Sequence, residues 1–299
     1  MSPTSATGTT PVQTYTDTPR TPSLALPRGA CDCHVHVFGP YDRFAPAQGL
    51  RTLPAQAPRD KLFALHRQLG IERCVIVQST VHGLDNRVVA DAIEAGGGRY
   101  LGVALVDPDI PTDDLRQLAS QGFRAVRFNF MKHLTGAASV DDVLAMTPRL
   151  ADVGMHLQVH FESALVHTVG QRLLRSAVPV VIDHMGRVDA TLGMAQPDVQ
   201  ALMALLDHPG MHVKVSGIDR VESGSRAGSG YPQGMALARE LVRRFPERCV
   251  WGLDWPHPNH THVPDDGELV DALAHIAPTE GLRQQLLVNN PQALYRFEV

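Results

Sequence analysis

The stretch CDCHVHVF at residues 31–38 is the starting point for both the fold and the function. Its alternating apolar residues predict a short strand, and side chains two residues apart on a strand point to the same face. His34 and His36 can therefore converge on one centre. The spacing alone is a weak signal, because 15 histidines in 299 residues give about one such pair by chance, and His260 with His262 is another.

Strand parity divides this stretch into two sets of side chains. Asp32, His34 and His36 are predicted on one face, and Cys31 and Cys33 on the opposite face. The two cysteines are therefore expected to pack in the core rather than to join the histidines in a thiolate metal site.

Seven further apolar strand-like runs follow, separated by segments of helical periodicity. The predicted strands are residues 31–37, 73–78, 100–106, 124–130, 155–161, 179–183, 211–216 and 249–253. The predicted helices are residues 58–69, 84–96, 111–121, 140–153, 163–176, 197–208, 233–246, 267–276 and 279–295. Eight strand–helix units predict an α/β fold, a single (β/α)8 TIM barrel over residues 30–299. Residues 1–29, rich in Thr, Pro and Ser, are predicted to be an extended N-terminal arm that is disordered or wraps on the surface.

A doubly wound open sheet is the rival fold. It predicts a glycine-rich phosphate loop after the first strand, and HVFGP at residues 36–40 lacks the GxGxxG spacing. A nucleotide cofactor is therefore not expected.

The composition predicts one globular enzyme that acts on a small molecule. With 43% hydrophobic residues and a net charge of −4, the chain can bury a large core, and no nucleic-acid or membrane-surface partner is expected. No run approaches the roughly 18 apolar residues of a membrane span, and residues 1–29 lack the core of a secretion signal. All four cysteines lie in apolar runs, which favours buried thiols in a reducing compartment and a cytoplasmic location. The oligomeric state cannot be predicted from these features.

Polar residues end several of the predicted strands, where a purely structural strand would stay apolar. In a (β/α)8 barrel the active site lies at this end of the strands. The residues are His34, His36, Gln78, Ser79, Thr80, Arg127, Asn129, His160, His184, Ser216 and Asp254.

Four histidines and one aspartate of this set predict a site for a divalent metal such as zinc. His34 and His36 come from the first strand, His160 from the fifth, His184 from the sixth and Asp254 from the eighth. Water on such an ion ionises near neutral pH, and Asp254 would accept its proton as general base. The alternative is that each histidine is a hydrogen-bonded core or surface residue, which is commoner for a single histidine.

Three arginines and two loop histidines suggest the kind of substrate. Arg127, Arg187 and Arg220 follow the fourth, sixth and seventh strands, and guanidinium groups match carboxylates or sulfonates. Taken singly, each arginine could equally form a surface salt bridge. His133 and His257 lie in loops at the predicted mouth and are candidates for substrate contact.

At these residues the sequence resembles the amidohydrolase superfamily. The motifs that carry the resemblance are HVHVFGP, VIVQST, RFNFMK, VIDHMGR, KVSGIDR, WGLDWPHPN and PDDGELVD. The resemblance runs from about residue 30 to the C-terminal LLVNNPQALYRF, and it is closest to the branch of lactonases. It implies a hydrolase that opens an anionic lactone ring in aromatic degradation, with 2-pyrone-4,6-dicarboxylate as the first expected substrate.

The resemblance also assigns roles to residues. It implies that His34, His36 and His184 polarise the lactone carbonyl and that Asp254 activates water. The arginines would hold the carboxylates of the substrate: Arg127, Arg187 and Arg220.

Departures from the family pattern bear on the substrate and on the metal. His133 stands where an arginine is usual, and Thr80 stands where a serine is usual. His160 stands in place of a tyrosine, which implies the usual metal ligand set of the superfamily, and the similar sulfomuconolactone hydrolases of the same branch use zinc. In this sequence that set is His34, His36, His160 and Asp254.

Other activities in the same superfamily stay open from the sequence. They are a zinc-dependent hydrolase of sulfomuconolactone, a hydrolase or isomerase of sugar-acid lactones, and a decarboxylase with a similar HxH, His and Asp set. A binding barrel without catalysis is the least favoured, because candidates for both a general base and an electrophile are present.

Overall fold

The computed structural model describes residues 11–50, 52–130 and 138–298. Eight parallel strands form one sheet in chain order, and helices connect them, which confirms the predicted (β/α)8 barrel. The strands are β1 Cys31–Val35, β2 Arg73–Val77, β3 Tyr100–Leu105, β4 Phe123–Phe130, β5 His156–Phe161, β6 Val180–Ile182, β7 Met211–Lys214 and β8 Cys249–Val250.

The segment that follows β8 closes the ring against β1. Cys33 N donates to Trp251 O at 2.8 Å, and Asp254 N donates to His34 O at 2.7 Å. A Cβ atom at Gly252 would lie 2.6 Å from the His34 backbone nitrogen, so glycine permits this close approach. The closure therefore places Asp254 beside the His34 and His36 strand.

The α-helices surround the sheet. They are α1 Arg59–Leu69, α2 Arg87–Ala95, α3 Thr112–Ser120, α4 Val140–Asp152, α5 Val169–Leu173, α6 Pro197–Leu206, α7 Pro232–Arg244, α8 Asp266–Asp271, α9 Leu273–Ile276, α10 Glu280–Gln284 and α11 Asn290–Tyr295. The predicted helix 163–176 is divided into a 3₁₀ turn, Ser163–His167, and α5. The predicted helix 279–295 contains a π-helical turn at Gln285–Asn289, next to Pro291, which has no N–H to continue the α-helical bonds.

The β1 strand departs from simple alternation. Its pairing register with β2 shifts between Asp32 and Val35. Asp32 consequently lies against α1, where its Oδ2 is 3.5 Å from His66 Nε2, whereas the His34 ring lies among polar groups at the mouth. The expectation that Asp32 shares a face with His34 is thus wrong, because the bulge reverses the parity.

The core has two parts. An outer layer lies between the sheet and the helices. An inner layer fills the lower barrel, and Cys31 and Cys33 belong to it as buried free thiols. Tyr295 and Phe297 from the C-terminal end of the chain complete this layer.

The described part of the predicted arm lies along the barrel surface. The Tyr15 ring packs 5.2 Å from the Trp255 ring, and the Thr14 hydroxyl donates to Pro256 O. Further along, Asp271 accepts hydrogen bonds from the backbone of Ser23. Residues 1–10 lie outside the described residues. Across the described ranges, no helix is both long and apolar enough to span a bilayer.

Candidate active site

Three imidazoles surround one oxygen of Asp254 at the mouth of the barrel. Asp254 Oδ1 lies 3.6 Å from His34 Nε2, 3.5 Å from His36 Nε2 and 3.8 Å from His184 Nε2. This oxygen is buried, and it has no hydrogen-bond partner among the described residues. The structure thus brings together the four residues predicted as catalytic.

Local backbone geometry places two of these side chains. His184 has φ 47° and Asp254 has φ 70°, both in the left-handed region that L-residues rarely occupy. Such strain persists only where surrounding structure enforces it, and it is common at functional sites. His184 is further held by Ser216, whose Oγ lies 2.9 Å from its Nδ1.

The second oxygen of Asp254 is anchored. Its Oδ2 accepts a hydrogen bond from Arg220 Nε and lies 3.4 Å from His260 Nε2. His260 Nδ1 is in turn 2.6 Å from Asp219 Oδ2. Burial acts to raise the pKa of Asp254, but the Arg220 guanidinium and the His184 imidazole outweigh it and hold that pKa well below its usual range. Asp254 is therefore ionised, as a general base must be.

Burial favours the neutral form of two of the imidazoles, those of His34 and His184. Burial, reinforced by the Lys214 ammonium, lowers the pKa of His34 to about 3. Burial likewise holds the pKa of His184 well below its usual range. Neutral imidazole is the form that coordinates a metal or that can present either a donor or an acceptor nitrogen.

Three of the side chains form a group that can hold a divalent metal. One ligand atom each from His34, His184 and Asp254 lies within 4.8 Å of the others. Within the described ranges, His34 Nε2 and Asp254 Oδ1 are buried without hydrogen-bond partners, as unsatisfied ligand atoms would be. Two imidazoles and a carboxylate are a donor set suited to zinc, so the residues fit an ion.

The ligand set predicted from the sequence overlaps with this group only in part. His36 Nε2 approaches the same carboxylate oxygen but is not in the compact group. The His160 ring lies 5.6 Å from the His184 ring, and its Nδ1 is 3.3 Å from Asn129 Oδ1. His160 Nε2 is buried with no hydrogen-bonding partner in the described part of the chain. Its role as a ligand stays a prediction.

A buried charged network lies beneath His34, and most of it was missed in the sequence. Arg127 Nε donates to Asp183 Oδ2 at 2.8 Å, and Gln158 Nε2 donates to the same oxygen at 3.1 Å. Lys214 Nζ lies 3.6 Å from Asp183 Oδ1. Burial acts to raise the pKa of Asp183, and the Arg127 guanidinium reverses this to a strong depression. One feature of the sequence does indicate this network: a lysine, Lys214, within the apolar strand MHVKV at residues 211–215.

The three predicted substrate arginines differ in their partners. Arg127 pairs with Asp183, and Arg220 bonds to Asp254 and, through Nη2, to Pro258 O at 2.7 Å. Arg187 is half-buried, and within the described residues its guanidinium has no hydrogen-bond partner. Burial and the nearby Arg220 charge lower the pKa of Arg187. Arg187 is therefore the arginine best placed to bind an added anion.

The structure describes two of the three remaining predicted substrate residues, Thr80 and His257. Thr80 is exposed and begins a 3₁₀ turn after β2. His257 is fully buried, its Nε2 lies 3.0 Å from Asp266 Oδ1, and its ring lies 5.3 Å from the ring of His260. Burial acts to lower the pKa of His257, but Asp266 reverses this and raises it. His133 lies outside the described residues.

Comparisons with known proteins agree with this architecture. A family model described as Amidohydrolase matches residues 31–297. A 2-pyrone-4,6-dicarboxylate hydrolase of Comamonas testosteroni is 40% identical over 284 residues, covering 93% of both chains. A 4-sulfomuconolactone hydrolase of Hydrogenophaga intermedia is 36% identical over 277 residues, covering 91% of this chain and 90% of the relative.

A solved structure is also similar. It is a probable 2-pyrone-4,6-dicarboxylic acid hydrolase from Acinetobacter baumannii with citric acid bound, 25% identical, with a TM-score of 0.77 over 90% of this chain and 100% of the other.

The chain belongs to the amidohydrolase family. The superfamily assignment made from its motifs is confirmed, and so is the prediction of a hydrolase. Within the family, the relatives that it resembles at 36–40% identity are named as hydrolases of anionic ring compounds.

Proposed function

We propose that this protein hydrolyses an anionic lactone and that 2-pyrone-4,6-dicarboxylate is its substrate. The observation that carries the proposal is the ionised Asp254, whose Oδ1 faces three imidazole nitrogens and has no hydrogen-bond partner in the described ranges. The Arg187 guanidinium, which has no hydrogen-bond partner within the described residues, supplies a charge for a substrate carboxylate. The name of the Comamonas relative and the citrate in the Acinetobacter structure support a polycarboxylate.

The proposed reaction begins with removal of a proton from water by Asp254 Oδ1. The hydroxide oxygen bonds to the lactone carbonyl carbon, and negative charge develops on the carbonyl oxygen. The bond between that carbon and the ring oxygen then breaks, and the ring oxygen takes the proton back from Asp254. The product is an open-chain acid of the muconate type with one more carboxylate than the lactone.

The three histidines have different proposed roles around the reacting atoms. His36 Nδ1 lies 2.7 Å from Val77 O, which can only accept, so Nδ1 carries the proton and Nε2 presents a lone pair. That lone pair is suited to orient the attacking water. His34 and His184 are placed to stabilise the oxyanion, a role that pre-positioned polar groups fill effectively.

A divalent metal, proposed as zinc, would be held by His34, His184 and Asp254, with His36 and His160 as the further ligands predicted from the sequence. When bound, such an ion polarises a carbonyl and lowers the pKa of water.

A substrate panel tests the proposal. The purified protein is assayed with 2-pyrone-4,6-dicarboxylate, 4-sulfomuconolactone and a sugar-acid lactone, with and without a chelator, by ring absorbance and proton release. The highest kcat/KM is expected with the pyrone dicarboxylate. Faster turnover of sulfomuconolactone would favour the second candidate, which the Hydrogenophaga relative supports. Release of carbon dioxide without ring opening would contradict hydrolysis altogether.

A further inference from the structure

Lys214 is fully buried beneath the active site and makes three close polar contacts there. Its Nζ donates to Cys33 O at 2.8 Å and to Gln158 Oε1 at 2.8 Å. The third contact is His34 Nδ1, at 3.2 Å. An ammonium group has three N–H donors and no acceptor, so one proton is available for each of these contacts, and Asp183 Oδ1, at 3.6 Å, lies just beyond hydrogen-bond distance.

The contact with His34 determines where that imidazole carries its proton. Because the ammonium can only donate, His34 Nδ1 must accept, and the single proton of the neutral ring then lies on Nε2. Asp183 competes for the same nitrogen, since its Oδ1 lies 3.3 Å from His34 Nδ1. An ionised carboxylate can only accept, so a bond to Asp183 would require the proton on Nδ1.

The hydrogen-bond geometry favours Lys214 in this competition. Asp183 Oδ1 has no hydrogen-bond partner among the described residues, whereas His34 Nδ1 is paired with the ammonium. His36 is in the opposite state, because its Nδ1 donates to Val77 O. The two histidines of the HxH motif thus present different groups to the site: His34 an N–H and His36 a lone pair.

We propose that Lys214 is a positioning residue that holds His34 with its proton on Nε2, and that it thereby weakens the affinity of the site for divalent cations. As a donor, His34 Nε2 can hydrogen-bond to the developing oxyanion, and this half of the inference rests on the proposed function. A metal ligand needs the Nε2 lone pair, so coordination requires His34 to exchange its bond with Lys214 for one with Asp183. The buried positive charge opposes a cation in addition.

The first test measures the tautomers directly in the full-length protein. Histidine is labelled with ¹⁵N, metal is removed with a chelator, and the imidazole nitrogens are recorded by NMR, with His34→Gln to assign the His34 signals. We expect a pyridine-type Nδ1 and a pyrrole-type Nε2 for His34, and the reverse for His36. A pyrrole-type Nδ1 on His34 would overturn the proposal, and this measurement needs no change at Lys214.

The second test measures zinc binding by equilibrium dialysis. Lys214→Met keeps the length of the side chain and removes the charge, so the Kd for zinc should fall by about tenfold or more, and His34 should change to the Nδ1–H form. Lys61→Met is the matched control, because Lys61 lies at the surface with a side chain that is 45% exposed, and its Kd should not change. An unchanged Kd in Lys214→Met would contradict the inference. Neither test uses a lactone, so failure of the proposed function would leave both results interpretable.

Discussion

The two ends of the barrel contain similar residues but differ in how those residues are arranged. Strand β5 carries His156 at its beginning and His160 at its end. His156 packs 5.1 Å from the Tyr295 ring at the closed lower end, and its Nε2 and the Tyr295 hydroxyl are buried without partners in the described ranges. Unsatisfied polar atoms therefore occur at both ends. At the mouth, three imidazole nitrogens converge on one of these atoms, Asp254 Oδ1.

The comparison shows that convergence marks the site better than burial or an unpaired atom does. At the lower end the unpaired atoms lie beside the apolar inner layer formed by Cys31, Cys33 and their neighbours. At the mouth, Arg220 and His184 outweigh burial and lower the pKa of Asp254, whereas burial, reinforced by Lys214, lowers that of His34. The following changes test this contrast, in order of decreasing expected effect.

Asp254→Asn should have the largest effect on activity. An amide cannot take the proton of water, so kcat/KM should fall by about 10³-fold or more. Circular dichroism should show an unchanged fold. Asp113→Asn, at an exposed position in the first turn of α3, is the control and should keep full activity. Near-normal turnover in Asp254→Asn would exclude it as the general base.

Arg127→Met should mainly affect stability. Removing one partner of a buried ion pair leaves Asp183 undercompensated, which costs about 3–5 kcal/mol. Urea unfolding should show this loss, whereas Arg116→Met at an exposed helix pair should change the unfolding free energy by about 1 kcal/mol or less. A raised KM with unchanged stability would instead identify Arg127 as the carboxylate anchor predicted from the sequence.

Arg187→Met should affect substrate binding. The loss of a charged hydrogen bond of about 1.5–3 kcal/mol should raise KM by about 10- to 100-fold and leave kcat nearly unchanged. Steady-state kinetics with the best substrate of the panel measures both constants. Arg187→Lys keeps the charge but loses the planar guanidinium, so its KM should lie between those of the unchanged protein and Arg187→Met. A fall in kcat as large as the fall in kcat/KM would mean that Arg187 acts in the transition state instead.

Much of the fold and part of the site could be predicted from the sequence, because both depend on local pattern. Period-two apolar runs between helical segments gave the eight strands in order. The rule that barrel sites lie at strand ends then brought His34, His36, His184 and Asp254 into one prediction, and the structure places these four side chains together.

The remainder depends on local irregularities of the backbone and on contacts between distant parts of the chain. The register shift in β1 separates Asp32 from His34, and strand parity cannot anticipate a bulge. The pairing of His257 with Asp266 arises from the loop after β8 folding back onto α8. Lys214 and His34 are 180 residues apart, so the contact that sets the tautomer has no local signature.

His156→Phe and His160→Phe compare the two ends on the same strand, and the first should have the smallest effect of all. His156 is neutral, because burial holds its pKa well below the usual range, and phenylalanine would remove the unsatisfied Nε2 from an apolar region. The unfolding free energy should change by about 1 kcal/mol or less, and kcat/KM should not change.

His160→Phe removes a nitrogen beside His184 and should lower kcat/KM or zinc affinity. Both variants are measured by urea unfolding, kinetics and dialysis. Equal loss of activity in the two would mean that the lower end of the barrel contributes to the site, and the contrast drawn from convergence would fail.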